Sequence, residues 1–243
     1  MKLTNKLGLP EAVFSAIAND PYNKGEADFS VTELIAPPRQ RALMRKHDHE
    51  LEEDVSDRLW SLYGQIVHLL LERANSKTIK EQRFFGKFGH YTVSGQVDSL
   101  CLDSGVLSDF KFTTSWSFMA GRPPKDEWIQ QLNMQLELLR LNGYDAEKLE
   151  IIGLLRDWQL TSAETKKGYP NTQIAKHEIP MWSRFQTTEF IFERIRLHVE
   201  ARKNLPLCDS KDLWGGKRCK HYCSVGAAGF CEQFNKQKEL ENV

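Results

Sequence analysis

Residues 94–113 read SGQVDSLCLDSGVLSDFKFT, and the alternation within them decides the fold. Gln96 and Asp98 share one side of an extended chain while Val97 takes the other, the two-residue period of a strand. Asp103-Ser104-Gly105 supplies turn chemistry. On the return strand Asp109 and Lys111 share a face, and Phe110 and Phe112 point away. A loop of Asp103 and Ser104 sets Asp98 against Asp109; a loop of Ser104 and Gly105 sets Asp98 against Lys111. In either register the three charged groups lie within one or two cross-strand steps. Opposed carboxylates repel unless a cation sits between them, so the hairpin is a candidate divalent-metal site. The competing reading is a pair of solvated acids with Lys111 as salt-bridge partner.

Upstream of the hairpin, Asp54 to Asn75 carries helical periodicity, with Val55, Leu59, Leu62, Ile66, Leu69 and Leu70 expected to face a core. Gly64, His68 and Glu72 recur one turn apart and stack along a second line. The glycine leaves room for an approach to His68, and Glu72 is placed to orient its ring. Residues 79–85 read as a further strand, joined to 90–102 through Gly86–Gly89. Downstream, 126–142 (DEWIQQLNMQLELLRLN) forms an amphipathic helix ended by Gly143. Residues 149–157 suit a buried strand, and 161–177 read as a polar loop or irregular hairpin tip. A last helix is expected from Thr187 or Thr188 to about Lys203. Before all of these lie short helices at 10–18 and after Ser30, the latter ended by Pro37-Pro38. This alternation predicts an α/β fold with a central mixed sheet flanked by helices.

Composition sets the outer bounds. A chain of 243 residues can bury a sizeable core. Its 33 basic and 33 acidic side chains cancel, which argues against a strongly basic nucleic-acid coat protein. A mean hydropathy of -0.51 and short apolar runs give no membrane span. MKLTNKLGLP lacks the apolar core of a secretory signal, so the expected location is the cytoplasm. Arg39, Arg41, Arg45 and Lys46 form a basic segment, read either as a solvated face or as a phosphate-contacting patch.

The reaction that fits the hairpin is phosphodiester hydrolysis. Hard oxygen ligands at Asp98 and Asp109 suit Mg²⁺ or Mn²⁺, and imidazole from His68 widens the tolerance for Mn²⁺. Such an ion lowers the pKa of a bound water and neutralises charge on the scissile phosphate. Lys111 is placed to stabilise developing negative charge. No Ser/His/Asp set and no phosphate-binding glycine loop competes with this reading.

Gly64-x3-His68, Gly95-Gln96-Val97-Asp98, Asp109-Phe110-Lys111 and Gln131-x3-Gln135, in that order, resemble the successive motifs of the PD-(D/E)XK nuclease superfamily. Within it the chain is most similar to RecB-type exonucleases, including CRISPR-associated and bacteriophage members. The resemblance runs from about Ser30 to Trp158. It implies a restriction-endonuclease-like core in which His68, Asp98, Asp109 and the Phe110 backbone carbonyl bind the metal. Lys111 is then catalytic, Gln131 helps hold DNA or the site, and DNA is the partner, in the host cytoplasm if the chain is phage-encoded. A recombination or CRISPR-adaptation protein partner is also compatible. Many members carry Tyr where this chain has Gln135, which leaves a different DNA contact at that position. The alternative class is a nucleic-acid- or partner-binding metalloprotein whose hydrolysis is weak or lost.

Four of the five cysteines, Cys208, Cys219, Cys223 and Cys231, crowd near the C-terminus. In a reducing compartment such a group reads as a metal site, either a [4Fe–4S] cluster or Zn²⁺. Two Cys-x2-Cys knuckles of the zinc-ribbon kind are absent, and the uneven spacing is closer to the iron–sulfur clasp of several RecB-type nucleases. There, however, the distant cysteine commonly precedes the nuclease core. Cys101 reads as a small buried strand residue. Trp116 and Trp214 are candidates for stacking on unpaired bases. The expected division is a nuclease domain over 1–204, with an N-terminal helical segment at 1–53, and a small cysteine-ligated clasp over 205–243.

Overall fold

The structure is a computed structural model that describes residues 1–19, 23–73 and 77–241. The elements run β1 (Lys2–Thr4), α1 (Glu11–Ala18), β2 (Phe29–Ser30), α2 (Val31–Ile35), α3 (Pro38–Lys46), β3 (Glu52–Asp54) and, after a 3-10 turn, α4 (Leu59–Glu72). Next come β4 (Thr78–Phe88), β5 (Tyr91–Cys101), β6 (Val106–Thr113), α5 (Asp126–Leu141), β7 (Lys148–Leu155), α6 (Leu160–Thr165), β8 (Ile174–Ile179) and α7 (Arg184–Glu200). Four short helices finish the chain: α8 (Ser210–Leu213), α9 (Lys217–His221), α10 (Ser224–Ala227) and α11 (Glu232–Glu241). Among the described residues no helix is long and apolar enough to cross a membrane.

The chain forms two compact units. One comprises 22–31 and 59–190; the other comprises 1–21, 32–58 and 191–243. Compactness therefore groups the residues differently from a division at 204/205: the N-terminal segment and the cysteine-rich tail belong to the same unit.

The first unit is a mixed α/β fold around a six-stranded sheet of order β2-β5-β6-β7-β8, with β4 on the other edge of β5. β2 and β7 run parallel to their partners β5 and β6, and the remaining pairs are antiparallel. Helix α5 is nearly submerged: Trp128, Leu132, Met134, Leu136, Leu138 and Leu139 are all buried. Each such side chain stabilises the fold by roughly 1.5–3 kcal/mol. Its polar residues are answered inside the protein. Glu137 binds Arg184 at 2.8 Å, and Asn133 donates to the carbonyls of Ile129 and Pro180. Gly95 explains how closely the helix sits, because a Cβ there would lie 2.9 Å from Leu138 Cδ1.

The β5–β6 hairpin adopts the first of its two expected registers, with Ser99 opposite Ser108 and Cys101 opposite Val106. Gly105, at φ +63°, takes the left-handed position of the loop. Three expectations need correction. Gly86 lies inside β4, and the β4–β5 turn tightens to Gly89 and His90. The stretch expected as a polar loop contains α6 and the edge strand β8, whose Ile151↔His177 pairing satisfies β7 on its free side. Helix α7 begins at Arg184 because Ser183 and Gln186 form a reciprocal cap that the later threonines do not.

Helix α4 departs further from expectation. It begins at Leu59, and the expected end at Asn75 lies outside the described residues. Leu59, Ile66, Leu69 and Leu70 are 38%, 43%, 47% and 59% exposed rather than core-facing. Its half-buried side instead carries Leu62, Val67, His68 and Leu71, so the line containing His68 is the one turned inward. Trp60 and Tyr63 meet Phe112 of β6, and Arg156 lies 3.9 Å over the Trp60 ring.

In the second unit β1 pairs in parallel with β3, and Asp54 ties the pair together. The Lys6 N–H, at 2.8 Å, and then Ser56 and Thr4 hold its carboxyl far below the usual carboxylate range. Arg194 of α7 donates to the carbonyls of Leu34, Ile35 and Ala36, satisfying groups that the end of α2 leaves free. Beside it His198 lies buried, with Nε2 3.2 Å from the Leu34 carbonyl.

Burial, and next the Arg194 charge, push the His198 imidazole down to about 4. The neutral ring therefore contributes stability that is whole above about pH 6.5 and is lost as pH falls toward 4, since only the unfolded chain takes up the proton in that window. Urea denaturation of the wild type should show a midpoint that declines across this window, and His198→Gln should flatten the decline.

Candidate functional site

The site arises where the sheet stops pairing. The β5–β6 ladder ends at Ser99↔Ser108, one step short of Asp98 and Asp109. In place of the next backbone bond, the Phe110 N–H donates to Asp98 Oδ2 at 2.8 Å. On the other edge of β5, the β4 ladder runs from Thr78↔Cys101 to Phe88↔Tyr91 but skips the step at which Glu81 faces Asp98. Glu81 has φ +46°, a left-handed conformation that costs a non-glycine residue on the order of 1–3 kcal/mol. Three acids thus lie across three adjacent strands, and both ladders open at the middle one.

Each end of this row is closed by a nitrogen group, Lys111 at one and His68 at the other. Lys111 Nζ reaches Asp109 Oδ2 at 2.5 Å and donates to Gln131 Oε1 at 3.1 Å. Gln131 Nε2 donates to Asp109 Oδ1 at 2.5 Å, while the other oxygen of the nearly inaccessible Asp109 meets the Lys111 ammonium as an ion pair without hydrogen-bond geometry. At the other end His68 Nδ1 lies 2.8 Å from Glu81 Oε1 and 3.7 Å from Asp98 Oδ2. Gln96 Nε2 donates to Glu81 Oε2 at 2.7 Å, and Arg83 in turn donates to Gln96 Oε1 at 3.2 Å.

The electrostatics follow. Burial, then repulsion from Asp109, push the Asp98 carboxyl up to about 7, despite Lys111 and His68 nearby. The hydrogen bond to Glu81 raises His68 above its ordinary value, against burial and with help from Asp98. Burial works against the Lys111 ammonium, but Asp109 and Asp98 outweigh it and hold its pKa high. A buried carboxyl whose ionisation a neighbouring acid opposes is an environment that favours a bound cation.

The structure brings together His68, Asp98, Asp109, Lys111 and Gln131 from α4, β5, β6 and α5. Phe110 contributes its N–H to the cluster. The sequence does not single out Glu81, because the expected turn at 86–89 puts it out of register with Asp98. Pairing the strands through Gly89-His90 would have set Glu81 opposite Asp98 and exposed it. Glu72 does not orient the His68 ring; Glu81 does. Gln135 is 2% exposed and donates to the Gln96 carbonyl at 2.6 Å, so it braces β5 from within rather than presenting itself to DNA.

The other residues singled out belong to the second unit or to exposed positions. Cys208, Cys219, Cys223 and Cys231 all line one pocket, together with Arg39, Leu43, Val225 and Phe234. Burial pushes the Cys208 thiol up to about 12 and raises Cys219 and Cys223, with the neighbouring thiols adding to the effect. Among the described residues no three of these sulfurs lie within 4.8 Å of one another. The basic segment is not a uniform solvent face: Arg39 is 6% exposed, and donates to Cys231 Sγ at 3.4 Å and to the Pro206 carbonyl at 3.0 Å. Arg41 Nε is buried, and Arg45 is paired with Glu33. Cys101 is half-buried rather than buried. Trp116 and Trp214 are 54% and 42% exposed and are stacked by Arg122 and Arg218.

Asp109 depends on Lys111 for its charge to be tolerated. Lys111→Met should destabilise the protein by about 3 kcal/mol, because it leaves a buried carboxylate unpaired. Asp109→Asn/Lys111→Met should recover most of that loss in guanidinium denaturation. Equal losses in the single and double variants would contradict the pairing.

No family model and no curated protein matches this chain. Among solved structures, the crystal structure of SSO0001 aligns with a TM-score of 0.58 at 18% identity, over 90% of this chain and 94% of that one. A phage related exonuclease from Haemophilus somnus 129PT aligns at 15% identity over 85% of this chain and 82% of that one, with a TM-score of 0.29. The first likeness shows a shared fold; the second is too loose to carry an argument.

Proposed function

We propose that this chain is a metal-dependent DNA exonuclease of RecB type within the PD-(D/E)XK superfamily, acting in phage or prokaryotic DNA processing. The observation that carries the reading is the convergence of His68, Asp98, Asp109, Lys111 and Gln131 on the point where β5 and β6 part. The motif order on which the sequence resemblance rests thus corresponds to a spatial cluster. The donor set fits a divalent cation: buried carboxylates, one of them raised to about 7, beside an imidazole. His68, Asp98, Asp109 and the Phe110 carbonyl would hold Mg²⁺ or Mn²⁺, which supplies an acidified water and charge neutralisation at phosphate.

The chain's own groups then divide the remaining work. Lys111 carries a permanent positive charge beside Asp109 and would stabilise the negative charge that develops on the attacked phosphodiester. Gln131 fixes both Lys111 and Asp109, so it sets the direction of the ammonium. Phe110 N–H anchors Asp98 and prevents the carboxylate from swinging away.

The four cysteines would hold a structural [4Fe–4S] cluster, with Zn²⁺ as the second reading. The uneven spacing of the four cysteines, without two Cys-x2-Cys knuckles, is what favours the cluster over zinc. The Arg39 N–H on Cys231 Sγ is a hydrogen bond of the kind that tunes cluster potential.

Anaerobically purified protein should degrade end-labelled DNA with Mn²⁺ or Mg²⁺ and not in EDTA. Asp109→Ala and Lys111→Ala should each lower the rate by at least about a hundredfold, the scale of a lost charge-stabilising group. Metal-independent degradation, or full activity in both variants, would sink the mechanism. Retained DNA binding without cleavage by the wild type would favour a binding metalloprotein.

A further inference from the structure

We propose that Glu81 is a ligand of a divalent cation held by His68, Glu81 and Asp98, at the opposite end of the acid row from Lys111. The inference deepens the nuclease reading, and rests on it for the role of the ion though not for its binding. Three observations lead there. First, one ligand atom each from His68, Glu81 and Asp98 lie within 4.8 Å of one another. An octahedral ion with ligands at about 2.1 Å spans roughly 3 Å between adjacent donors and roughly 4 Å between opposite ones, and His68 Nδ1 stands 2.8 Å from Glu81 Oε1 and 3.7 Å from Asp98 Oδ2.

Second, the backbone departs from regular strand geometry at Glu81. The β4 ladder is intact on both sides, at Lys80↔Ser99 and Gln82↔Val97, and breaks only where Glu81 turns to φ +46°. A surface acid on an edge strand has no need of such a conformation. Third, the carboxylate is oriented from behind. Gln96 holds Oε2, Arg83 holds Gln96, and Oε1 is left toward His68. This is the supporting layer that metal-binding carboxylates require. The Glu81 and Asp98 side chains are 11% and 9% exposed while that of His68 is 32% exposed, so an ion enters from the His68 side. One imidazole with two carboxylates selects Mn²⁺ over Mg²⁺ and disfavours Ca²⁺.

The test uses the full chain without DNA. Mn²⁺ binding is titrated by the loss of the free-ion EPR signal, and pulsed EPR reads the nitrogen coupling from imidazole on the bound ion. The wild type should bind Mn²⁺ with that coupling, and His68→Gln should abolish it. Glu81→Gln should weaken binding at least tenfold while the ion that still binds keeps its nitrogen coupling. Glu81→Gly, which relaxes the backbone while removing the acid, should show the same weakening and guards against a folding defect in the Gln variant. Wild-type affinity in both Glu81 variants would overturn the proposal. A wild type that binds Mn²⁺ through Glu81 yet cleaves no DNA would remove the nuclease reading and leave this site standing.

Discussion

One hydrogen bond organises the first unit: the Phe110 N–H on the Asp98 carboxylate. A strand's backbone donor ordinarily meets a backbone carbonyl on its neighbour. Here a side chain replaces it, so β5 and β6 can part without leaving a buried N–H unsatisfied. The parting is what lets Asp109 turn to Lys111 and Gln131. It also leaves Asp98 facing two other acids, a placement that regular pairing would forbid. A continued ladder would give a better sheet and no cluster.

The two units use burial in different ways. Around β5, buried charges are matched by named partners: Arg184 for Glu137, Lys111 for Asp109, and His68 for Glu81 and Asp98. In the second unit burial raises the pKa values of the pocket thiols, and Arg39 donates to one of the sulfurs. Arg39 and Cys231 are far apart in sequence, so the N-terminal segment and the tail meet at this pocket. That meeting is why the compact unit is discontinuous along the chain.

Much of this was legible beforehand, and the omissions have physical causes. Asp98, Asp109 and Lys111 followed from alternation and a turn, which are local signals. His68 and Gln131 followed from helical spacing and motif order. The inward face of α4 did not, because periodicity reports where apolar residues lie and not which face a specific polar contact recruits. On α4 that contact is the one from His68 to Glu81, made on the half-buried side. Gln135, read as a DNA contact, and Arg39, read as a solvated or phosphate-contacting group, are instead claimed by a buried carbonyl and a thiol. Strand β8 was hidden because an edge strand with alternating exposed charge looks like a loop.

The conformation of Glu81 has a consequence for anyone who would improve this protein by consensus or computation. Judged by backbone preference alone, glycine or asparagine suits that position better. Optimising for thermal robustness would therefore tend to erase the carboxylate first. Such a variant would pass every test of foldedness while losing the feature that distinguishes this strand. Residues at odds with their own backbone are the ones a redesign should hold fixed.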